Sequence, residues 1–179
     1  MLALILVGFP ATGKSTIAKE LASTIPDTVD IAIDMFYESG KPNHNKYLNY
    51  IDNMSKTHNV ILSSNNHTHE SRDHIIEILK KNNVIYYFFN FVPENFENLE
   101  KDKQTDVIDI LVGRIVQRSN MGDTSSPLTA EDDEKSKKRV RNIIVHGFVK
   151  TYEPPEKCVY LDFTDSVETN VEKIWRFLL

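Results

Sequence analysis

Gly8-Phe9-Pro10-Ala11-Thr12-Gly13-Lys14-Ser15 is the stretch that decides how this chain is read. It fits G-x-x-x-x-G-K-[ST] at every position, and its flanks are the ones the pattern needs. Residues 3–7 before it form an apolar run with the look of a strand buried on both faces. From Lys14 the apolar residues switch to helical spacing, with Ile17, Ala18, Leu21, Ala22 and Ile25 on one side. Between strand and helix, two glycines let backbone N–H groups converge on a phosphate at the positive end of the helix. Lys14 then reaches the outer phosphates as a point charge, and Ser15 offers its hydroxyl to Mg²⁺. A plain glycine-containing turn is the competing reading, and the matched flanks argue against it. The expected nucleotide-binding set is therefore Gly8, Ala11, Thr12, Gly13, Lys14, Ser15 and Thr16, with Ser15 also on the metal.

Outward from this loop the chain alternates. Strands are expected at residues 29–33, 60–62, 84–92 and 159–163, and helices at 46–54, 71–81, 106–118 and Val167–Leu178. Asn65-Asn66-His67 reads as a polar turn, and residues 119–128 as a loop holding Gly, Asp, Ser and Pro. Thr129, with Asp132 three residues on, suggests the start of a further helix running to about Lys150 before Pro154-Pro155. Five strand–helix alternations imply a parallel sheet wrapped by helices on both faces. With the phosphate loop, the expected architecture is α/β: a P-loop kinase-type three-layer sandwich with a five-stranded parallel sheet and a helical lid near residues 119–130. The 179 residues suit one domain spanning 1–179.

Composition narrows the class without naming a function. The chain is 40% hydrophobic and 26% charged, enough to bury one core and unlike disordered or coiled-coil chains. The longest apolar run, residues 1–7, is far short of the ~20 residues of a membrane span. No positive region precedes it and no small-residue cleavage site follows it, so neither a membrane nor a secretory role is expected. One cysteine, Cys158, allows no internal disulfide and favours a reducing, intracellular setting, cytoplasmic or nuclear. The net charge of −5 argues against non-specific coating of nucleic acid, although a local basic face is compatible with it.

Transfer to an acceptor needs a base for its hydroxyl and a cationic lid for the moving phosphoryl group. Switch GTPases also read their base with Asn/Thr-Lys-x-Asp, and no such tetrapeptide occurs in the chain. Asp34, at the carboxyl end of the second strand, is the base candidate, because that edge faces the ligand crevice. Its alternative role is a turn cap. Asp30 is expected at the strand's start, on the wrong edge. Arg114 and Arg118 lie four apart on one helical face, Arg114 toward the nucleotide and Arg118 at the threshold of the lid. A solvated helix-end cation is the other reading of Arg118. The run Lys135, Lys137, Lys138, Arg139 and Arg141 is either a solvated face or a nucleic-acid contact. His67 and His69 have no evident third metal ligand, so Mg²⁺ held through phosphates is preferred.

Four segments together resemble the polynucleotide 5′-hydroxyl kinase domain of fungal-type tRNA ligases. They are the phosphate loop, Asn65-Asn66-His67 with Arg72, Arg114-x-x-x-Arg118, and Gly147-Phe148-Val149-Lys150-Thr151-Tyr152-Glu153-Pro154. The resemblance implies transfer of a terminal phosphoryl group from ATP or GTP, often GTP, to an RNA 5′-hydroxyl end in tRNA splicing or RNA repair. It carries Lys14 and Ser15 to the phosphate and magnesium positions, Asp34 to the general base and Arg118 to the lid arginine. It carries Asn66, His67 and Arg72 to the acceptor side, and it implies ligase and phosphodiesterase domains or proteins as partners. Two positions depart from the family. Ser63 stands where members commonly carry an acid, and Arg118-Ser119-Asn120-Met121-Gly122 replaces Arg-Gly-x-Asn-His, so weaker GTP preference is expected. Two other classes fit the same Lys14 and Asp34: a small-molecule kinase for a nucleoside or metabolite, and a nucleotide-dependent binding module with little turnover.

Overall fold

The computed structural model describes residues 1–123 and 128–179. β1 (Leu2–Val7) enters the phosphate loop, and α1 (Lys14–Thr24) leaves it. Then follow β2 (Thr28–Ile31), a hairpin of β3 (Tyr37–Glu38) and β4 (Lys41–Pro42), α2 (His44–Met54), β5 (Asn59–Leu62) and α3 (His69–Lys81). β6 (Ile85–Asn90), α4 (Lys101–Asn120), α5 (Glu134–Ile144), β7 (Val159–Tyr160) and α6 (Val167–Leu178) complete the order. The main sheet is five-stranded and parallel, in the order β2-β5-β1-β6-β7. The expected α/β sandwich is the observed one.

Strand periodicity sorts the core into two layers. Ala3, Ile5, Val7, Val60 and Leu62 face Tyr47 and Ile51 of α2 and Ile75 and Leu79 of α3. Leu4, Leu6, Ile61 and Phe89 face the other way, onto α1, α4, α5 and α6. β1 is buried on both faces, as its unbroken apolar run requires. Burying each of Ile17 and Leu21 of α1 contributes ~1.5–3 kcal/mol, which holds the start of this helix against the sheet's carboxyl edge.

Several boundaries shift for local reasons. β2 ends at Ile31, and a 3₁₀ turn over Ile33–Phe36 follows, because the Ile33 N–H donates to Ser64 Oγ (2.8 Å) instead of to a neighbouring strand. β7 is two residues long, since Asp162 turns its carboxylate onto the Thr164 N–H (2.8 Å) and starts the corner into α6. The helix expected from Thr129 is capped by Asp133, whose Oδ1 accepts from Lys135 N and Ser136 N. α5 continues into a π turn over Val145–Val149, so helical backbone reaches close to Lys150 as expected. α4 runs through Ser119 and Asn120, which were expected in the loop. Part of the expected lid, residues 124–127, lies outside the described residues.

Candidate active site

The loop from Gly8 to Lys14 is shaped by packing beneath it and by backbone geometry within it. A Cβ on Gly8 would lie 3.1 Å from Phe91 Cβ and 3.0 Å from Thr12 Oγ1, so a larger residue would press on the loop and on the residue that follows β6. Gly13 has φ 90°, a left-handed conformation that opens α1 with no side-chain cap on its N-terminal donors. Thr12 turns inward and donates to Phe9 O (2.9 Å). Lys14 is 6% exposed; its Nζ donates to Phe9 O (2.7 Å), Gly8 O (3.1 Å) and Thr12 Oγ1 (3.2 Å). Burial pulls its pKa down to about 7, against the opposing pull of Asp34. The loop thus holds the ammonium at its own centre, facing the crevice.

That crevice is a cavity of about 550 Å³ at the carboxyl edge of the sheet. Lys14, Ser15, Thr16, Ala11 and Gly13 line one side, and Asp34, Arg114 and Arg118 line it with them. Asp34 sits in the 3₁₀ turn after β2, open to solvent on its outer side. Partial desolvation raises its carboxyl above the usual range, while Lys14 and Arg118 draw it down. Arg114 Nη1 donates to Ala11 O (3.3 Å), with its guanidinium carbon 5.3 Å from the centre of the Phe163 ring. Arg118 Nη2 donates to Leu128 O (2.7 Å), and its buried Nε has no hydrogen-bond partner among the described residues.

Phe148, which lines the same cavity, is backed by two distant segments. His67 Nε2 lies 3.2 Å from Gly147 O and 3.1 Å from Thr151 Oγ1, and its ring centre is 4.9 Å from that of Phe148. Glu153 N donates to His67 O (2.9 Å), while the Glu153 carboxylate accepts from His69 N. Tyr152 sets its ring edge-on to Phe9 of the phosphate loop (5.4 Å), and Asn90 Nδ2 donates to its hydroxyl (2.7 Å). The π turn carries Phe148, which lines the cavity. The two segments that gave the resemblance its particular character are therefore packed against each other and against the phosphate loop.

Residues 3–170 match the family described as the tRNA ligase kinase domain. The chain belongs to that family. A search of curated proteins gave no match. Among solved structures, a fungal RNA kinase is similar with a TM-score of 0.70 at 18% identity, covering 99% of this chain and 85% of that one. A gluconokinase from Sinorhizobium meliloti 1021 is similar with a TM-score of 0.60 at 14% identity, over 96% and 87% of the two chains. Kti12 of Chaetomium thermophilum, in complex with ADP-AlF₃, gives 0.56 at 15% identity over 97% of both. At these identities the likeness is one of fold, that of a P-loop kinase.

Within this tRNA ligase kinase-type domain the expected residues divide into two groups. Those named for the nucleotide and for catalysis converge on the cavity, apart from Gly8 and Thr12, which shape the loop from beneath. Asn66 and Arg72 are employed differently. Asn66 Nδ2 donates to Leu6 O (2.9 Å) and Leu62 O (3.1 Å), and Arg72, 2% exposed, donates to Asn66 O (2.9 Å). Both brace the turn rather than line the cavity; His67 positions Phe148 beside it. Asp30 is the third of four residues in β2, not its start, and so lies near the ligand edge after all. In the basic run, Lys137 pairs with Asp132 (2.6 Å), Arg141 with Asp109, and Arg139 donates to Thr129 O (2.7 Å), so three of its cations serve the local fold. Tyr37, Lys19 and Phe148 line the cavity and were not picked out as ligands. Only Phe148 had a signal in the sequence, through the resemblance. Among the described residues no helix is long and apolar enough to cross a membrane, and no cluster of three or more His, Cys, Asp or Glu could hold a metal.

Proposed function

We propose that the chain transfers the terminal phosphoryl group of a nucleoside triphosphate to the 5′-hydroxyl end of RNA. The observation that carries this is the convergence of Asp34 with Lys14 and Arg118 on one cavity. Lys19, Arg114 and Arg118 give that cavity three cations against Asp34 and Asp123, and Lys14 adds a fourth when phosphate holds it as the ammonium. A chain of net charge −5 thus keeps a positive crevice for two polyanions, the donor and the RNA end.

In this reading the loop's N–H groups and the ammonium of Lys14 hold the donor phosphates. Asp34 accepts the proton of the attacking 5′-hydroxyl, whose oxygen bonds to the terminal phosphorus as the bridging oxygen leaves. Lys14 and Arg118 stabilise the charge spread over the moving group. The hydroxyl of Ser15, exposed on the cavity wall, is the hard oxygen donor that suits Mg²⁺. When bound, that ion neutralises phosphate charge. Phe148 and Tyr37 also line the cavity and offer the RNA end aromatic rings on which its bases would stack. The departures in the Arg118–Gly122 stretch lead us to expect ATP and GTP to compete as comparable donors.

The test is label transfer from ATP or GTP with Mg²⁺, offered to 5′-hydroxyl RNA, 5′-hydroxyl DNA and a nucleoside pool. Label at the RNA 5′ end, lost in Asp34→Asn, is expected. Label on a nucleoside or metabolite would replace the reading with a small-molecule kinase, and tight nucleotide binding without transfer with a binding module.

A further inference from the structure

P-loop phosphoryl-transfer sites pair the loop's Ser or Thr with an aspartate on the metal side. Here β5, the strand beside β1, runs out through Leu62, Ser63 and Ser64 with no carboxylate. The carboxylate is one strand further out. Ser63 Oγ donates to Asp30 Oδ1 at 2.6 Å, across the β2–β5 pair.

The alternation of side chains places this pair. Ile31 and Leu62 face the α2–α3 layer and Ile61 faces the α1 layer, so Asp30 and Ser63 lie on the α1 side. Ser63 is 4% exposed, yet it lines the same cavity as Lys14 and Ser15. Because its proton is committed to Asp30, the hydroxyl meets the cavity as an acceptor. Burial raises the carboxyl of Asp30, against the hydrogen bond from Ser63 and the charge of Lys19. A carboxylate desolvated to hold one serine is costly for the fold alone.

We propose that Asp30 is a positioning residue which, through Ser63 Oγ, orders the water shell of the magnesium that accompanies the nucleotide on Ser15. The inference rests on the phosphoryl-transfer reading of the cavity. It makes the Asp30–Ser63 pair the replacement for an acid on β5, with the charge kept and its strand changed.

The test is calorimetric titration of ADP into the intact chain over a series of Mg²⁺ concentrations and in EDTA. In Asp30→Asn, whose amide oxygen still accepts from Ser63, the half-saturating Mg²⁺ should rise about tenfold or more, with affinity in EDTA unchanged. Ser63→Ala should show a smaller shift in the same direction. Asp30→Asn combined with Ser63→Asp, which moves the carboxylate to β5, should restore the wild-type value. Thermal melts in EDTA identify any variant that fails to fold, and Ser63→Ala then carries the comparison. Unchanged Mg²⁺ dependence in the folded variants, or an equal loss with and without Mg²⁺, would overturn the inference and leave the phosphoryl-transfer reading standing. Failure of the wild type to bind ADP at all would instead overturn that reading, and the inference with it.

Discussion

The two walls of the crevice are built in opposite ways. The phosphate-loop wall is one contiguous turn whose strand, glycines and helix follow each other within eight residues. The Phe148 wall is backed by His67 and Thr151, from segments about 80 residues apart, and their hydrogen bonds are to backbone and hydroxyl groups. In the first wall the side chain proposed for the chemistry also shapes the loop, since Lys14 bonds the carbonyls of Gly8 and Phe9. In the second, the polar groups of His67 and Thr151 are spent on holding the wall together, and the Phe148 side chain is what reaches the cavity. A contiguous site can be read residue by residue, whereas an assembled one shows its purpose only when its parts meet.

The largest expected effect separates chemistry from binding. Asp34→Asn keeps size and hydrogen bonding but cannot take a proton, so turnover should fall about 10²–10⁴-fold. Donor affinity, measured by ADP titration, should stay close to wild type, because Asp34 belongs to the 3₁₀ turn after β2 and is not part of the phosphate loop. Wild-type turnover in this variant would return Asp34 to the role of a turn residue and leave the contiguous wall without its base.

A middle-sized effect is expected on the assembled wall. His67→Ala removes both contacts to the 147–151 segment and frees Phe148, so the acceptor KM should rise while the ADP dissociation constant holds. The fold should lose about 1 kcal/mol, the usual net worth of a hydrogen bond, read from urea unfolding. A loss confined to ADP affinity would mean that this wall serves the donor, and the division into two walls would collapse.

The same contrast explains what the sequence made legible. The strand–loop–helix unit carries its own periodicity and glycine signals, and it appears where those signals put it. Asp34 was recognisable because a strand's carboxyl end is a topological position. Asp30 was misplaced because β2 is short, and its third residue is already near the edge. Asn66 and Arg72 stood out by resemblance, but their donors satisfy backbone carbonyls, a duty that residue type alone does not reveal. The β3–β4 hairpin has two-residue strands, too short for any alternation to register.

The smallest effect follows from the resting state of Lys14 and sharpens the contiguous wall alone. Burial holds its pKa near 7, so above neutrality the empty loop carries a neutral amine. Bound phosphates favour the ammonium, so nucleotide binding must take up a proton once the pH passes about 7. Linkage then requires affinity to fall as the pH rises through that value, approaching tenfold per unit while the bound lysine stays protonated. Below pH 7 the lysine is charged in both states, and this dependence vanishes. Calorimetry of ADP binding at pH 8, in two buffers of different ionisation enthalpy, should detect uptake approaching one proton. Lys14→Met should bind more weakly at pH 6.5, with its proton uptake abolished. It should still melt cooperatively, with a small loss of stability because the Gly8 and Phe9 carbonyls lose the donor that Lys14 supplies. Flat affinity from pH 6.5 to 8.5 in the wild type would mean that the ammonium is already charged in the empty loop, held there by the carbonyls of Gly8 and Phe9 and by Asp34.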